Sequence, residues 1–384
     1  MKKFIASFLL IFPAITWGAE AKYTVATQSG RNVTVEFVTD DIVKVTNTAP
    51  GETAVASTGL TVLSTPATFN GQSLDAPMSL TLVSPTGVTA IVDKSTGGVT
   101  LSSGANRIVC DNGARLTKDN RRQMRLSTVG EGSFYGAGER GYNFNLDGDT
   151  LVVYNRQNYG YTRTDQRIRQ MNITMPLFIS SNGYAILFDD YAAAEIVMKD
   201  PIVYTTESPN PISYYFINGA GSLEGVVKTM SSLTGRQGLP PFWALGYITS
   251  KYGYHTEAET RGVIDTLKTA GYPVDGVVLD LYWYGKEQDM GRLAWDPEQW
   301  PNYKGMLSDL KKKGVNTVII SQPYVLRNGR GLDNYNELAE KGLFVTDSLG
   351  KPHEVKIWVG EGGMFDVSNP ATRKWLRDRY KLLT

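Results

Sequence analysis

The acidic residues best suited to chemistry lie in and just after the apolar stretch at residues 276–281 (GVVLDL). Asp280 lies within this stretch, and a carboxylate in an otherwise apolar strand needs a partner. Two interpretations stay open: Asp280 accepts hydrogen bonds from ligand hydroxyls, or it caps the following loop or pairs with Lys286. Glu287 and Asp289 follow on that loop, and cleavage of a glycosidic bond requires two carboxylates on either side of it. The spacing of Asp280 and Glu287 is a weak signal by itself, because acids on loops are usually solvated.

Other reactive side chains are few. The chain contains two histidines, His255 and His353, and one cysteine, Cys110, which makes a structural zinc site improbable. His255 precedes a helix-capping sequence, so a structural role near the helix start is favoured over general-base catalysis. Residues 136–141 (GAGERG) superficially resemble a phosphate loop, but no helical pattern follows them to hold the phosphate. We therefore expect neither a metal nor a cofactor.

The elements that must position Asp280 alternate between strand and helix after residue 240. Strands are predicted at residues 244–249, 276–281 and 317–321, and helices from about Thr256, Tyr303, Asp333 and Asn369. Thr256 and Glu259 have the spacing of a capping box, in which each side chain accepts a helix N-terminal amide. Successive βα units predict either a doubly wound sheet or the beginning of a (β/α)8 barrel. Both folds bind ligands at the carboxyl ends of their strands, which is where Asp280 lies.

The preceding part of the chain has a different pattern. From residue 22 to about residue 233 it is rich in Thr, Val, Ser and Gly, and short stretches such as 32–38 (NVTVEFV) and 79–83 (SLTLV) alternate polar and apolar residues. This alternation, bounded by turn residues, predicts antiparallel strands packed as a β-sandwich. We assign residues 22–235 to this domain and residues 236–384 to the βα domain.

The first residues have the layout of a secretory signal peptide. Lys2 and Lys3 precede an apolar run at residues 4–15, and residues 19–21 (AEA) form a cleavage-site pattern. Residues 1–21 are therefore predicted to direct export to the periplasm or cell surface of a bacterium, with no membrane anchor after cleavage. A formal net charge of +1 gives no electrostatic reason to expect nucleic acid as a partner.

A series of ordered motifs resembles glycoside hydrolase family 31. In the second half the motifs are residues 244–247 (ALGY), 250–254 (SKYGY), 279–283 (LDLYW), 295–297 (WDP), 319–324 (IISQPY), 358–360 (WVG) and 365–370 (FDVSNP). In the first half they are residues 134–140 (FYGAGER) and 155–161 (NRQNYGY). The loop at 285–293 (GKEQDMGRL) is most similar to the bacterial branch that contains an oligosaccharide 4-α-glucosyltransferase.

The resemblance implies an N-terminal antiparallel β-sandwich followed by an incomplete (β/α)8 barrel made of its first three βα units. It also implies a retaining mechanism on the α-glucosidic bonds of gluco-oligosaccharides, with two aspartates as nucleophile and acid/base. The family places these aspartates at the fourth and near the sixth barrel strand. Both are therefore expected beyond Thr384, and no catalytic residue is assigned within the chain.

Part of a sugar pocket carries over from the family. Asp280 matches the carboxylate that binds hydroxyls of the non-reducing glucose. Leu281 and Ile320 match apolar positions of the pocket wall, and Trp358 matches an aromatic residue at the pocket floor.

Other positions depart from the family pattern. Gln322 replaces a common aspartate, and Ser321 and Val359 also differ from typical members. These departures leave hydrolysis and glucosyl transfer both open. The alternative is a catalytically inactive truncated product with only residual sugar binding, and the 384-residue chain alone is expected to be inactive. The oligomeric state is not predicted.

Overall fold

The computed structural model describes residues 15–17, 21–54, 62, 69–104, 106–111, 115–130, 132–141, 143–155 and 173–383. The chain forms two compact units, Met1–Gln237 and Gly238–Thr384. Most of the predicted signal peptide lies outside the described residues, as does the motif at 155–161 apart from Asn155.

The first unit consists of two antiparallel sheets. Its strands are β1 (Ile15–Trp17), β2 (Lys22–Ala26), β3 (Asn32–Thr39), β4 (Ile42–Thr48), β5 (Gln72–Asp75), β6 (Ser79–Val83), β7 (Val88–Asp93), β8 (Val99–Ser103), β9 (Asn106–Asp111), β10 (Arg115–Leu116), β11 (Arg122–Val129), β12 (Phe134–Gly138), β13 (Thr150–Val153), β14 (Thr174–Ser180), β15 (Tyr184–Phe188), β16 (Ala194–Val197), β17 (Ile202–Thr206) and β18 (Ser213–Asn218). Among the described residues, one sheet has the order β1-β5-β6-β7-β8-β9-β11-β17-β16-β13, with β10 paired to β11. The other sheet has the order β12-β14-β15-β18-β4-β3-β2.

The two sheets share one apolar core. Val33 and Val35 of β3 and Leu82 and Val92 of β6 and β7 are all completely buried in the same cluster. Along β3 the buried positions alternate with more exposed ones, which is the period-two pattern of a strand that packs on one face. The predicted antiparallel β-sandwich is confirmed.

Ser222 is the N-cap residue of the helix in this unit, α1 (Leu223–Thr234). The Ser222 side chain accepts a hydrogen bond from the Gly225 amide at 3.0 Å, as an N-cap residue does. Val226 and Leu233 of α1 pack with Leu177 and Ile217 of the second sheet. The helix therefore covers the face of that sheet opposite the sandwich core.

The second unit is built around a parallel sheet. Strands β19 (Tyr247–Thr249), β20 (Val274–Leu279) and β21 (Asn316–Ile319) lie in this order, and both neighbouring pairs are parallel. The helices are α2 (Glu257–Thr269), α3 (Tyr303–Lys312), α4 (Leu332–Glu340) and α5 (Pro370–Tyr380). The predicted series of parallel βα units is confirmed. None of the helices that the structure describes is long and apolar enough to cross a membrane.

The first strand of this sheet is shorter than predicted. Phe242–Leu245 form a 3-10 turn, and the strand begins only at Tyr247, where the prediction covered residues 244–249. The Tyr247 amide donates to Asp275 Oδ2 at 3.0 Å, and a Cβ on Gly246 would lie 2.2 Å from the same oxygen. The backbone can approach Asp275 closely because residue 246 is a glycine, and this carboxylate ties the start of β19 to β20.

The second and third strands end before the predicted positions. β20 ends at Leu279 because Asp280 starts a 3-10 turn, Leu281–Tyr284. β21 ends at Ile319, two residues before the predicted end. The residues that follow these strands, and not the strands themselves, therefore carry the predicted site.

The predicted capping box of α2 is displaced by one residue. The Thr256 hydroxyl accepts the Glu259 amide at 3.0 Å, as predicted. The Glu259 carboxylate, however, accepts the amide of His255 at 2.7 Å and not that of Thr256. At α5 the predicted Asn369 cap and first-turn Pro370 are both present.

An antiparallel sheet lies between β21 and α5 and was not predicted. Its strands, β22 (Tyr324–Leu326), β23 (Glu354–Ile357) and β24 (Gly360–Met364), have the order β22-β24-β23. The sequence GEGGM of β24 has no polar–apolar alternation, which explains why the pattern gave no strand signal. A Cβ on Gly362 would lie 2.4 Å from the Val325 carbonyl oxygen, so the close pairing with β22 depends on glycine.

Candidate functional site

Asp280 lies half-buried where β20 ends. Its Oδ1 accepts the Leu281 amide at 2.7 Å and so caps the turn. Among the described residues no ion pair joins it to Lys286, and its Oδ2 has no protein hydrogen-bond partner. Capping and ligand binding are thus compatible, because the second carboxylate oxygen remains available to accept hydrogen bonds from a ligand.

The two predicted wall residues differ in exposure. Leu281 is 2% exposed and belongs to the core of the unit, so it supports the site from behind. Ile320 is half-buried. Because Leu279 and Ile319 are paired in the β20–β21 ladder, Asp280 and Ile320 occupy neighbouring positions at the same end of the sheet. The Trp283 indole fixes this end by donating to the Ile320 carbonyl at 2.8 Å.

Trp358 lies in the tight turn between β23 and β24 and is 53% exposed. Its Nε1 donates to Gln322 Oε1 at 3.3 Å. Gln322 follows Ile320 by two residues, so this hydrogen bond ties the tip of the hairpin to the carboxyl end of β21. The exposed indole is therefore connected to the same end of the sheet as Asp280.

The acids after Asp280 are not free. Asp289 and Asp296 are 6% and 3% exposed, and Arg330 joins them. Its Nε and Nη2 donate to Asp289 Oδ2 at 2.9 and 2.7 Å, and Nη2 also donates to Asp296 Oδ2 at 2.8 Å. The expectation that a loop acid is solvated was wrong for Asp289. This side chain is buried and paired with Arg330, which is distant in sequence.

The electrostatics of this cluster follow from burial and pairing. Burial would raise the pKa of Asp289, but the hydrogen bonds from Arg330 outweigh it and hold the pKa below the ordinary value. The same balance of burial against Arg330 lowers the pKa of Asp296. Both acids stay ionised near neutral pH and act as structural anions. They also line a polar cavity of about 550 Å³ that includes His255, Tyr282 and Arg330 but not Asp280.

Glu287 is also engaged, in this case by two tyrosines. Tyr252 and Tyr282 donate their hydroxyls to Glu287 Oε1 at 2.6 and 2.9 Å. These hydrogen bonds, from Tyr252 first, lower the pKa of Glu287. His255 lies exposed beside this group, with its ring 3.9 Å from that of Tyr282. His255 thus has the structural position before α2 that the sequence favoured.

Tyr284 is a buried donor close to the site. Its side chain is 1% exposed, and its hydroxyl has no hydrogen-bond partner within the part of the chain that the structure describes. Burial, followed by the charge of Asp280, raises the pKa of Tyr284. The phenol therefore stays protonated in the physiological pH range.

Sequence reasoning did not identify Tyr252 and Arg330 as site-forming residues. Tyr252 follows β19 within the SKYGY motif and is 59% exposed, so an aromatic residue directly after a parallel strand was an available signal. Arg330 reaches acids that lie 34 and 41 positions away, and no local pattern marks it. Within the described residues, no group of three or more His, Cys, Asp or Glu side chains is arranged to hold a metal.

Comparison with known families decides the classification. Residues 32–196 match the glycosyl hydrolase 31 N-terminal galactose mutarotase-like domain. Residues 237–384 match the glycosyl hydrolases family 31 TIM-barrel domain. The chain belongs to glycoside hydrolase family 31. The second unit is accordingly part of a (β/α)8 barrel domain, as the motifs implied.

Individual relatives are similar over much of the chain. Alpha-glucosidase 2 of Bacillus thermoamyloliquefaciens is 26% identical over 92% of this chain and 45% of its own length. Alpha-xylosidase XylQ of Lactiplantibacillus pentosus is 29% identical over 70% of this chain and 34% of its own. The chain thus spans less than half the length of these two relatives.

Solved structures show the same fold. A Flavobacterium johnsoniae family 31 dextranase in complex with isomaltotriose has a TM-score of 0.82 at 19% identity, over 97% of this chain and 45% of that one. An alpha-xylosidase from a soil metagenome, complexed with xylose, has a TM-score of 0.79 at 18% identity, over 95% and 55% of the two chains.

Proposed function

We propose that this chain carries the sugar-binding part of an enzyme that acts on α-glucosidic bonds of oligosaccharides, by hydrolysis or by 4-α-glucosyl transfer. The observation that carries the proposal is the available Oδ2 of Asp280 at the end of a parallel strand. A carboxylate acceptor orients sugar hydroxyls through charge-assisted hydrogen bonds. The family, with its glucosidases, xylosidases and dextranase, supports an α-linked glycoside as ligand.

The proposed pocket combines this acceptor with apolar and aromatic surface. Ile320 and the exposed indole of Trp358 would contact the C–H faces of a sugar, while Leu281 supports them from the core. Tyr252 joins this set, because its exposed ring follows β19, the strand beside β20. Together these residues would bind the non-reducing end of an α-linked gluco-oligosaccharide.

No catalytic pair is assigned within the described residues. A retaining mechanism needs two carboxylates that can act as nucleophile and acid/base. Glu287 is engaged by two tyrosines, and Asp289 and Asp296 are engaged by Arg330. These engagements favour a second candidate for the 384-residue chain taken alone, namely sugar binding without turnover.

Calorimetric titration with maltotriose, isomaltotriose and the β-linked control cellotriose tests the proposed ligand class. We expect saturable binding of an α-linked trisaccharide and no binding of cellotriose. Absence of binding to both α-linked sugars, or equal binding of cellotriose, would overturn the proposal.

Turnover of p-nitrophenyl α-glucoside tests the second candidate. We expect none from the purified 384-residue chain. Heat-labile turnover that is lost on denaturation would show that the described acids, or other residues of the chain, suffice for catalysis.

We also propose export to the periplasm or cell surface, on the basis of the signal-peptide pattern at residues 1–21. The mature protein recovered from a bacterial periplasmic fraction should begin at Lys22, directly after Ala21. Recovery of the protein from the cytoplasm with Met1 retained would contradict this localisation.

A further inference from the structure

Glu287 connects two aromatic side chains that differ in how firmly they are held. Tyr282 is confined by its surroundings: the His255 ring lies 3.9 Å away, and a Cβ on Gly253 would lie 2.0 Å from the Tyr282 ring. Tyr252 is 59% exposed and touches Tyr282 edge-on, with ring centroids 5.9 Å apart. The strongest polar contact of Tyr252 is the 2.6 Å hydrogen bond from its hydroxyl to Glu287.

The geometry makes Glu287 an anchor for both phenols. Both phenol hydroxyls converge on the same oxygen, Oε1, which uses the lone pairs of that atom. The hydrogen bond to Glu287 also raises the pKa of Tyr252, as expected when a carboxylate holds a neutral phenol. Packing already fixes the Tyr282 ring, and the Tyr282 hydroxyl is hydrogen-bonded to Glu287. Glu287 in turn holds the Tyr252 hydroxyl in place.

We infer that Glu287 is a positioning residue that holds the exposed ring of Tyr252 as a wall for the sugar beside Asp280. The inference rests on the proposed function, since it needs a sugar at Asp280. An exposed tyrosine would otherwise sample several rotamers, and each immobilised side chain costs free energy on binding. A ring that is fixed before the ligand arrives avoids this cost.

The test compares maltotriose affinity in four proteins by calorimetry. The wild type is compared with Glu287→Ala, with the conservative Glu287→Gln, and with Glu340→Ala, which removes an exposed acid from α4. Glu287→Ala frees the Tyr252 ring, and the cost of immobilising that ring on binding predicts up to about tenfold weaker binding of maltotriose. Glu287→Gln keeps an acceptor oxygen, so we expect a loss of only about threefold. Glu340→Ala should match the wild type.

The outcomes separate this inference from the proposed function. Absence of maltotriose binding by the wild type overturns both. Wild-type binding with equal affinity in Glu287→Ala overturns the positioning role alone. A loss of affinity that follows the midpoint of thermal unfolding across the variants, with no rescue by Gln, would also overturn it, because that is the signature of a structural role.

A double variant gives a second, independent check. Tyr252→Phe keeps the ring but removes the hydroxyl that reaches Glu287. Since Tyr252→Phe and Glu287→Ala break the same hydrogen bond, the double variant should bind maltotriose no more weakly than Glu287→Ala. Additive losses would show that the two residues act separately and would contradict the inference.

Discussion

Arg330 is predicted to be the main electrostatic support of the loop that follows Asp280. It holds two nearly buried carboxylates, Asp289 and Asp296, that lie on this loop. Replacing Arg330 by Met keeps an unbranched side chain and removes the cation. Two buried anions then lose their partner, and among the residues that the structure describes only Arg292 remains, at 3.7 Å from Asp296.

The expected loss in the free energy of unfolding follows from the two carboxylates that stay buried without Arg330. Breaking a buried ion pair by removing one partner costs about 3–5 kcal/mol. The Arg330 side chain is 43% exposed, so water can reach the vacated position. We therefore expect the lower end, about 3 kcal/mol, in the free energy of unfolding of the second unit at pH 7.

The loss of stability in Arg330→Met is expected to depend on pH. In the wild type the pKa values of both acids are lowered from 3.8, so their contribution is fully present above that pH and is lost as the pH falls below it. In Arg330→Met burial is no longer outweighed, and the carboxyl pKa values rise. The difference between variant and wild type should thus be largest at neutral pH and shrink as the pH approaches 4.

Urea unfolding followed by tryptophan fluorescence measures this difference. Of the seven tryptophans only Trp17 precedes residue 243, so the signal reports mainly on the second unit. Arg377→Met on α5 is the control, because Arg377 is exposed and makes no ion pair among the described residues. A loss below about 0.5 kcal/mol, which is the range of ordinary surface changes, or a loss that does not depend on pH, would contradict this role of Arg330.

Three further changes test other contacts. Hydrogen bonds from Lys341 first, and then from α5, lower the pKa of Glu337 to about 2, so Glu337→Gln should lower thermal stability at pH 7 but have little effect at pH 2. Gly253→Ala should lower stability by more than 1 kcal/mol in urea unfolding, because its positive φ of 79° and the Tyr282 ring leave no room for a Cβ. Thr256→Ala should lower the free energy of unfolding by about 1 kcal/mol in the same assay, because the N-cap of α2 is lost. For each of these three variants, an unchanged unfolding midpoint would contradict the prediction.

The sequence signals that succeeded are local. The alternation of residues in β3 and the caps at Thr256 and Asn369 depend on neighbours a few positions away, and these elements lie where predicted. Asp280 could be placed at a strand end for the same reason. The exact end of β20 could not be predicted, because it depends on a hydrogen bond in which the Asp280 carboxylate accepts the amide of the next residue, Leu281.

The contacts that escaped prediction join distant parts of the chain. Arg330 reaches Asp289 across 41 positions, and Trp358 reaches Gln322 across 36. Only the folded chain shows that a loop acid is paired and buried. Strand β24 could not be predicted for another reason: its glycines permit close backbone pairing but give no alternation of polar and apolar residues.

The affinity of Asp280→Asn for maltotriose tests whether Asp280 is the sugar-binding carboxylate. Asn keeps the shape of the side chain and an oxygen that can cap the Leu281 amide, but it removes the charge that would hold the sugar hydroxyls. We predict a loss of affinity of about tenfold or more, from the roughly 1.5–3 kcal/mol of a charged hydrogen bond, with an unchanged midpoint of thermal unfolding. Asp333→Asn, an exposed position on α4, should bind as the wild type does. Equal affinity of Asp280→Asn and wild type would contradict the assignment of Asp280 as the sugar-binding carboxylate.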